Sequence, residues 1–214
     1  MTQTVDFRFE LLFLAGVLIS VIWLGAALVL KSLGERGAAK RALRVLGMGW
    51  AVYLSIVLLV AAVTRQLVIP MDQDLCLDDL CFAVVNVQTA PALGPNSQPV
   101  RAKGIFYIVT VRGSSHARGR LQGERGLHAQ LWSPGHQYQI SPLGQRAWDG
   151  THAGNVALTA RLGPDQSFLS DQVFDVNVPA EGLGLVLSQG FTPGYFVIGE
   201  CPLLHKPTLL RLSR

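Results

Sequence analysis

Two long apolar runs without a charged residue dominate the first third of the chain. They cover residues 11–30 and 45–64, twenty residues each. A helix of that length is about 30 Å long, which matches the hydrocarbon core of a bilayer. The pattern predicts two transmembrane helices within a membrane hairpin of residues 1–69, so the bilayer is the first expected partner. Neither run contains an Asp, Glu, Lys, Arg or His of the kind that ion pathways require, so transport by this chain alone is not expected.

Small residues in both runs favour close contact between the two helices. Gly16 and Gly25 lie in the first run, and Gly47 and Gly49 lie in the second. Because small side chains let two backbones approach, we expect these glycines at the helix–helix contact, together with Ala15, Ala26 and Ala27 of the first run.

The connection between the runs, residues 31–44, is strongly basic, and Glu35 is its only acidic residue. Short loops rich in Lys and Arg stay in the cytoplasm, so both ends of the hairpin are expected outside it. The residues before the first run lack the basic start of a cleavable signal peptide, which predicts a retained signal-anchor in a bacterial inner (cytoplasmic) membrane. The topology-determining residues are Lys31, Arg36, Lys40, Arg41 and Arg44.

From about residue 70 onward the apolar positions form short alternating segments bounded by Gly, Pro, Asn and Ser. Such segments are typical of strands. About nine strands and no helix predict an all-β domain, a sandwich or a small barrel, over residues 81–214 in the periplasm or extracellular space. The predicted strands are 82–88, 104–112, 128–132, 137–141, 156–162, 173–178, 183–188, 195–198 and 208–212.

Residues 70–80 are interpreted as an acidic juxtamembrane linker. Four carboxylates would suit a hard cation, but the run lacks the Gly and Glu that an EF-hand loop requires at its sixth and twelfth positions. A hydrated segment is therefore favoured, and it could also receive a basic partner surface. The acidic residues are Asp72, Asp74, Asp78 and Asp79.

Three cysteines, Cys76, Cys81 and Cys201, follow the second run and would lie in an oxidising compartment. The simplest arrangement is one disulfide and one free thiol. Cys76–Cys81 and Cys81–Cys201 both remain open as pairings. Because no C-x-x-C motif is present, a structural role is favoured over thiol exchange.

Composition supports a membrane protein and argues against nucleic-acid binding. Mean hydropathy is +0.35, only 15% of the residues are charged, and the net charge is +4. After residue 70 basic and acidic residues are equally numerous, so the excess charge belongs to the hairpin. Residues 112–126 are interpreted as a long, solvated hairpin loop rather than a polyanion site. Its arginines are Arg112, Arg118, Arg120 and Arg125.

The sequence lacks the short motifs that mark common catalytic sites. It contains no G-x-S-x-G, H-E-x-x-H, P-loop or G-x-G-x-x-G. The histidines are scattered, at His116, His128, His136, His152 and His205. We therefore expect no enzyme activity, no cofactor and no metal, with an unrecognised envelope enzyme as an alternative.

Several segments of the second part carry a family resemblance. They are CFAVVNV at 81–87, IFYIVTVR at 105–112, RLGPDQSF at 161–168, VFDVNVP at 173–179 and IGECPLLHKPTLLRL at 198–212. Together they resemble the telokin-like, immunoglobulin-like domain of unknown function found on bacterial membrane-anchored and secreted proteins. The resemblance implies an Ig-like β-sandwich with a binding or structural role, and it implies no reaction.

The layout of a two-helix hairpin followed by an extracytoplasmic β-domain is also similar to cytochrome oxidase subunit II. The copper ligands of that family follow the pattern C-x3-C-x3-H-x2-M. Cys201 and His205 match it, but Val197 and Thr208 occupy the positions of the first Cys and the Met. Half of the ligand set is missing, so no copper site is expected. The predicted function is a non-catalytic module that binds another membrane or envelope protein, with a redox or metal subunit as an alternative.

Overall fold

The computed structural model describes residues 7–77, 79–177, 182–188 and 207–213. These residues fall into two compact units. A helical unit extends to residue 65, and a β-rich unit begins at residue 66.

The helical unit contains α1 (Phe7–Ser32) and α2 (Arg36–Val63). Both are long and apolar enough to cross a membrane, over Leu11–Ser32 and Arg36–Val63. Gly34 terminates α1 in the left-handed conformation, with φ of 87°. Around it the Glu35 N–H donates to the Leu30 carbonyl and the Gly34 N–H donates to the Lys31 carbonyl, which is a Schellman motif.

This tight cap corrects the extent of the predicted basic loop. Only residues 33–35 separate the two helices. Lys31 therefore lies in the last turn of α1. The remaining cations, Arg36, Lys40, Arg41 and Arg44, lie in the first turns of α2, because the helix begins as soon as the cap reverses the chain.

Indole groups, rather than glycines, join the two helices. Trp50 Nε1 donates to Ser20 Oγ at 2.8 Å, and Trp23 Nε1 donates to the Ala42 carbonyl at 3.0 Å. The expectation of a glycine contact is wrong for these residues, since a Cβ added at any of them would meet nothing within 4 Å. The glycines concerned are Gly16, Gly25, Gly47 and Gly49.

The β-rich unit contains two sheets and one short helix, α3 (Pro142–Asp149). The four-stranded sheet has the order β2-β3-β4-β7, and the five-stranded sheet has the order β1-β9-β8-β5-β6. The strands are β1 (Val68–Ile69), β2 (Leu75–Leu77), β3 (Leu80–Leu93), β4 (Val100–Ser115), β5 (His128–Ser133), β6 (His136–Gln139), β7 (Ser167–Val176), β8 (Gly184–Ser188) and β9 (Leu209–Arg211).

Both sheets contribute to one apolar core. Val109 and Phe174 of the first sheet and Leu131, Leu185 and Leu210 of the second are fully buried in it. On its other face the first sheet is covered by α3, where Phe106, Ile108 and Val173 lie against Trp148. The middle of β4 is thus buried on both faces, which explains why its sequence is a nearly continuous apolar run instead of an alternating one.

The structure corrects two predicted elements. Residues 156–162 form turns, and only Leu162 makes a β-bridge, to Gln122. Residues 142–149 form α3, although no helix was expected there. The signal was present locally, because Ser141 caps the helix through a hydrogen bond from the Gly144 N–H and Pro142 begins it. With eight residues, α3 is too short for a helical period to be recognised.

The basic segment after β4 is also different from the prediction. Arg112 lies within β4, and residues 116–127 connect β4 in one sheet to β5 in the other, so the segment is not a hairpin loop. The segment interpreted as a linker is folded as well, since it contains β2. The predicted strand 195–198 and the end of 173–178 lie outside the described residues.

Gly104 lies where β4 passes the end of β7, and it has no room for a side chain. A Cβ there would overlap the Val176 carbonyl oxygen, a backbone atom that no rotamer change can move. We expect Gly104→Ala to lower the free energy of unfolding by about 2–3 kcal/mol. Hydrogen exchange of β4 and β7 peptides in the full-length protein measures the effect. Lys103→Ala, which alters the exposed neighbour, is the control and should leave exchange unchanged.

Candidate binding cavity

A cavity of about 510 Å³ lies within the β-rich unit, between the edges of the two sheets. One side of it is apolar and includes Leu127, Ala129, Ile140, Val156 and Leu158. The other side is polar, with side chains from α3, from the residues that follow it and from β7. These are Gln145, Asp149, Asn155 and Gln172. The lining also includes three exposed polar residues of other segments, His128, Gln139 and Thr159.

Two carboxamide side chains cap the free edge of β7 beside this cavity. Among the described strands β7 pairs with β4 alone, and its other edge has one isolated β-bridge, between Ile140 and Phe174. On the other side Asn155 Oδ1 accepts from the Asp171 N–H at 2.8 Å, and Gln145 Oε1 accepts from the Val173 N–H at 2.9 Å. Their amide nitrogens both donate to the Asp171 carbonyl, at 3.1 and 2.9 Å. Each side chain therefore bonds the strand as a neighbouring strand would.

The same two amides converge on Asp149 at the end of α3. Asn155 Nδ2 lies 2.7 Å from Asp149 Oδ1, and Gln145 Nε2 lies 3.0 Å from the same oxygen. No described residue donates a hydrogen bond to the second carboxylate oxygen. One oxygen of Asp149 thus orients the cap, and the other is left for a ligand or for water.

The Asp171 side chain links α3 to the four-stranded sheet. Its carboxylate accepts from Trp148 Nε1 at 2.9 Å and from Thr110 Oγ1 at 2.7 Å. Gly144 allows the close approach, because a Cβ there would lie 2.9 Å from side-chain atoms of Phe106 and Val173. The polar wall of the cavity is therefore held by contacts along the edge of β7 and on the face that α3 covers.

Gln172 is the most deeply buried polar residue of the lining, with 7% of its surface exposed. It lies opposite Val109 in the β4–β7 register and shares the inner face of the sheet with the core residue Phe174. Its Nε2 donates to Ser170 Oγ at 2.8 Å. Its carbonyl oxygen accepts no hydrogen bond from the described part of the chain. The NH2 group of this buried amide therefore has a hydrogen-bond partner, and its carbonyl oxygen has none within the described residues.

Sequence reasoning did not single out Gln145, Asn155 or Gln172. One signal was available for Gln172, since a glutamine stands among buried apolar residues in the strand SDQVFDV. The two capping amides lie on a short helix and next to a turn, where polar residues are common and so do not indicate a site.

The four acidic residues predicted as a contact surface have separate roles. Asp74 accepts from Arg112 at 3.0 Å in an ion pair that is more than one-third exposed, and such pairs contribute at most about 1 kcal/mol. Asp79 accepts from Gln122 Nε2 at 2.9 Å. Asp72 occupies a turn with a φ of 65°, and Asp78 lies outside the described residues. Among the described His, Cys, Asp and Glu residues no group of three could hold a metal ion.

The structure contains one of the two disulfides that the sequence left open. Cys76 of β2 and Cys81 of β3 are bonded and lie directly opposite each other in the strand register. Cys201, His205 and Val197 lie outside the described residues, and Thr208 immediately precedes β9.

The disulfide closes a very short loop, so its loss should have a limited effect. We expect the double variant Cys76→Ser, Cys81→Ser to lose about 2 kcal/mol of stability while it keeps both sheets, since a small loop removes little unfolded-chain entropy. Hydrogen exchange of β2 and β3 in the full-length protein checks this. Global loss of protection in β5 and β8 would contradict it, and Cys201→Ser is the matched control.

The helical unit has a cleft of its own, of about 290 Å³ between α1 and α2. Phe13, Trp50 and Tyr53 line it and pack as an aromatic cluster with centroids 5.5–6.5 Å apart. Ser20 is also part of the lining, but its hydroxyl already donates to the Gly16 carbonyl and accepts from Trp50. The cleft is therefore an apolar surface with little hydrogen-bonding capacity left.

No protein-family model matches the chain, and no curated protein matches it either. The chain is similar to the structure of a conserved hypothetical protein from Bacillus anthracis, with 14% identity, a TM-score of 0.46, and coverage of 57% of this chain and 92% of that one. It is also similar to the yjhA protein from Bacillus subtilis, with 9% identity, a TM-score of 0.41, and coverage of 55% and 78%. Neither likeness bears on function.

Proposed function

We propose that this chain is a membrane-anchored binding module of the bacterial inner membrane. In this proposal α1 and α2 span the bilayer, and the β-rich unit is an Ig-like sandwich outside the cytoplasm. It binds another membrane or envelope protein and catalyses no reaction.

The observation that carries the proposal is the exposure of the apolar side chains on both helices. Only 11% of the apolar window of each helix is buried. Leu18 and Ile22 are 64% and 65% exposed, and Leu28 and Leu59 are similarly open. Apolar surface on this scale is unfavourable in water, whereas in lipid it is the ordinary surface of a spanning helix.

The distribution of charge supports the orientation. The five cations around the α1–α2 turn are all exposed, and among the described residues none of them forms an ion pair. Unpaired cations at one end of a hairpin are typical of its cytoplasmic end. The β-rich unit, which follows α2, then lies on the opposite side.

The two carboxamides in the lining of the cavity support a binding role. The carboxamides of Gln145 and Asn155 are engaged with the β7 backbone, and an amide is neither a nucleophile nor a general acid or base. Such groups recognise a ligand by donating and accepting hydrogen bonds.

Purification from the native membrane tests the proposed function. We expect the full-length protein to resist alkaline extraction, and to elute in mild detergent with at least one membrane or envelope protein in stoichiometric amount by mass spectrometry. Gly104→Ala, which destabilises the β-rich unit and leaves the two helices unchanged, should remain in the membrane. Release of the wild-type protein by alkali, or elution without any stoichiometric companion, would contradict the proposal.

A further inference from the structure

The half-satisfied amide of Gln172 indicates that the cavity is built for a ligand. A buried polar group without its partner destabilises a fold by about 1–3 kcal/mol, so such groups usually have a partner or a function. Gln172 lines the cavity and is more than nine-tenths buried, and its carbonyl oxygen has no partner in the described chain. An apolar residue at this position would suit the surrounding core better.

Two unused acceptors lie in the polar wall formed by α3 and β7. They are the Gln172 carbonyl oxygen and the second oxygen of Asp149, since the first oxygen of Asp149 is taken by the two capping amides. The exposed residue Asp149 gives the wall a negative charge; the described lining also contains His128, and it contains no lysine or arginine. A ligand that donates hydrogen bonds and carries a positive charge fits such a wall, whereas an anion would be repelled.

The opposite wall and the volume of the cavity indicate the polarity and the size of the rest of the ligand. Leu127, Ala129 and Ile140 present apolar surface across from the amides. A volume of about 510 Å³ lies within the range of small-molecule sites in proteins.

We propose that this cavity binds a small organic amine, in which an ammonium group is attached to a compact apolar body. The ammonium group donates to the buried Gln172 carbonyl oxygen, the exposed Asp149 carboxylate supplies the negative charge that favours a cation, and the apolar body lies against Leu127 and Ile140. This site is independent of the membrane hairpin and of any protein partner.

Three probes of similar size test the proposal: leucinamide is a cation, N-acetylleucinamide is neutral and N-acetylleucine is an anion. Each is titrated into the full-length protein in detergent micelles, with ¹⁵N in the glutamine side chains for detection by NMR. We expect the Gln172 signal, assigned by its absence in Gln172→Met, to shift saturably with leucinamide. The affinity should exceed that for N-acetylleucine by at least about tenfold, equivalent to about 1.4 kcal/mol.

Two variants separate recognition from a structural role. Asp149→Asn keeps an oxygen for the capping amides and removes the charge, so it should abolish the preference for the cation. Gln172→Met should lose leucinamide binding while hydrogen exchange of β7 stays equal or becomes slower, because the unpaired amide is gone. Gln137→Met, on the exposed face of β6, is the matched control and should change nothing.

Three results would overturn the proposal. The first is the absence of saturable shifts with leucinamide. The second is binding of N-acetylleucine as tight as that of the amine, or a cation preference that survives in Asp149→Asn. The third is faster exchange of β7 in Gln172→Met, which would make Gln172 a structural residue.

Discussion

Two arginines on the exposed face of α1 are expected to prevent its insertion into the membrane. In Leu18→Arg, Ile22→Arg the new side chains replace residues that are 64% and 65% exposed in the helical unit. In a bilayer centre each arginine costs about 3 kcal/mol, so the pair should oppose insertion by about 6 kcal/mol. Alkaline extraction of membranes should then release the variant or show it degraded, while the wild-type protein stays in the pellet.

The same variant distinguishes a membrane helix from an exposed helix in water. For a water-soluble protein, arginine at a position that faces solvent is neutral and improves solubility. The matched control is Leu143→Arg, which changes an equally exposed leucine in the β-rich unit, at 62%, and should leave the protein in the membrane. Normal retention of the α1 variant in the pellet would argue that α1 is not lipid-exposed.

Removal of both capping amides is expected to open the polar wall of the cavity. In Gln145→Ala, Asn155→Ala the Asp171 N–H, the Asp171 carbonyl and the Val173 N–H all lose their partners. A buried backbone group without a partner costs about 1–3 kcal/mol, and these groups are partly accessible to water, so the double variant should lose about 3 kcal/mol. Hydrogen exchange of the β7 amides in the full-length protein reports the loss directly.

A double-mutant cycle tests whether the two amides act as one unit. Because they share the Asp171 carbonyl and Asp149 Oδ1, the single-variant effects should not add, and we expect a coupling above about 0.5 kcal/mol. Gln88→Ala, on the exposed face of β3, is the control for loss of a glutamine from the same unit. Additive effects would mean that each amide stabilises β7 separately.

The features that sequence predicts well are those set by local pattern. The two apolar runs predict the two helices because length and lack of charge are read directly from the chain. The strands β3, β4, β8 and β9 are found near their predicted positions because apolar residues and turn residues mark them. The two-sheet β-rich unit is therefore confirmed, whereas membrane crossing and the Ig-like topology remain proposals.

The features that sequence does not predict depend on contacts between distant residues. Asn155 and Gln145 reach the β7 backbone from sixteen to twenty-eight residues away. No periodicity encodes such contacts, and a carboxamide can equally face water. The strand predicted at 156–162 is absent for a related reason. Its residues are apolar enough for a strand, but Ser170 Oγ donates to the Val156 carbonyl, and the side-chain amide of Asn155 already occupies the edge of β7 that such a strand would join.

The side-chain cap on β7 also bears on how copies of this protein meet. The other outermost strands, β1, β2 and β6, have two, three and four residues, so β7, with ten, is the longest outermost strand of the described sheets. Long bare edges recruit strands from neighbouring molecules and so promote fibre growth. A strand from a neighbouring molecule could extend this sheet only after displacing Gln145, Asn155 and the bridge at Ile140. We therefore expect the two amides to protect this edge against strand addition between copies of the protein.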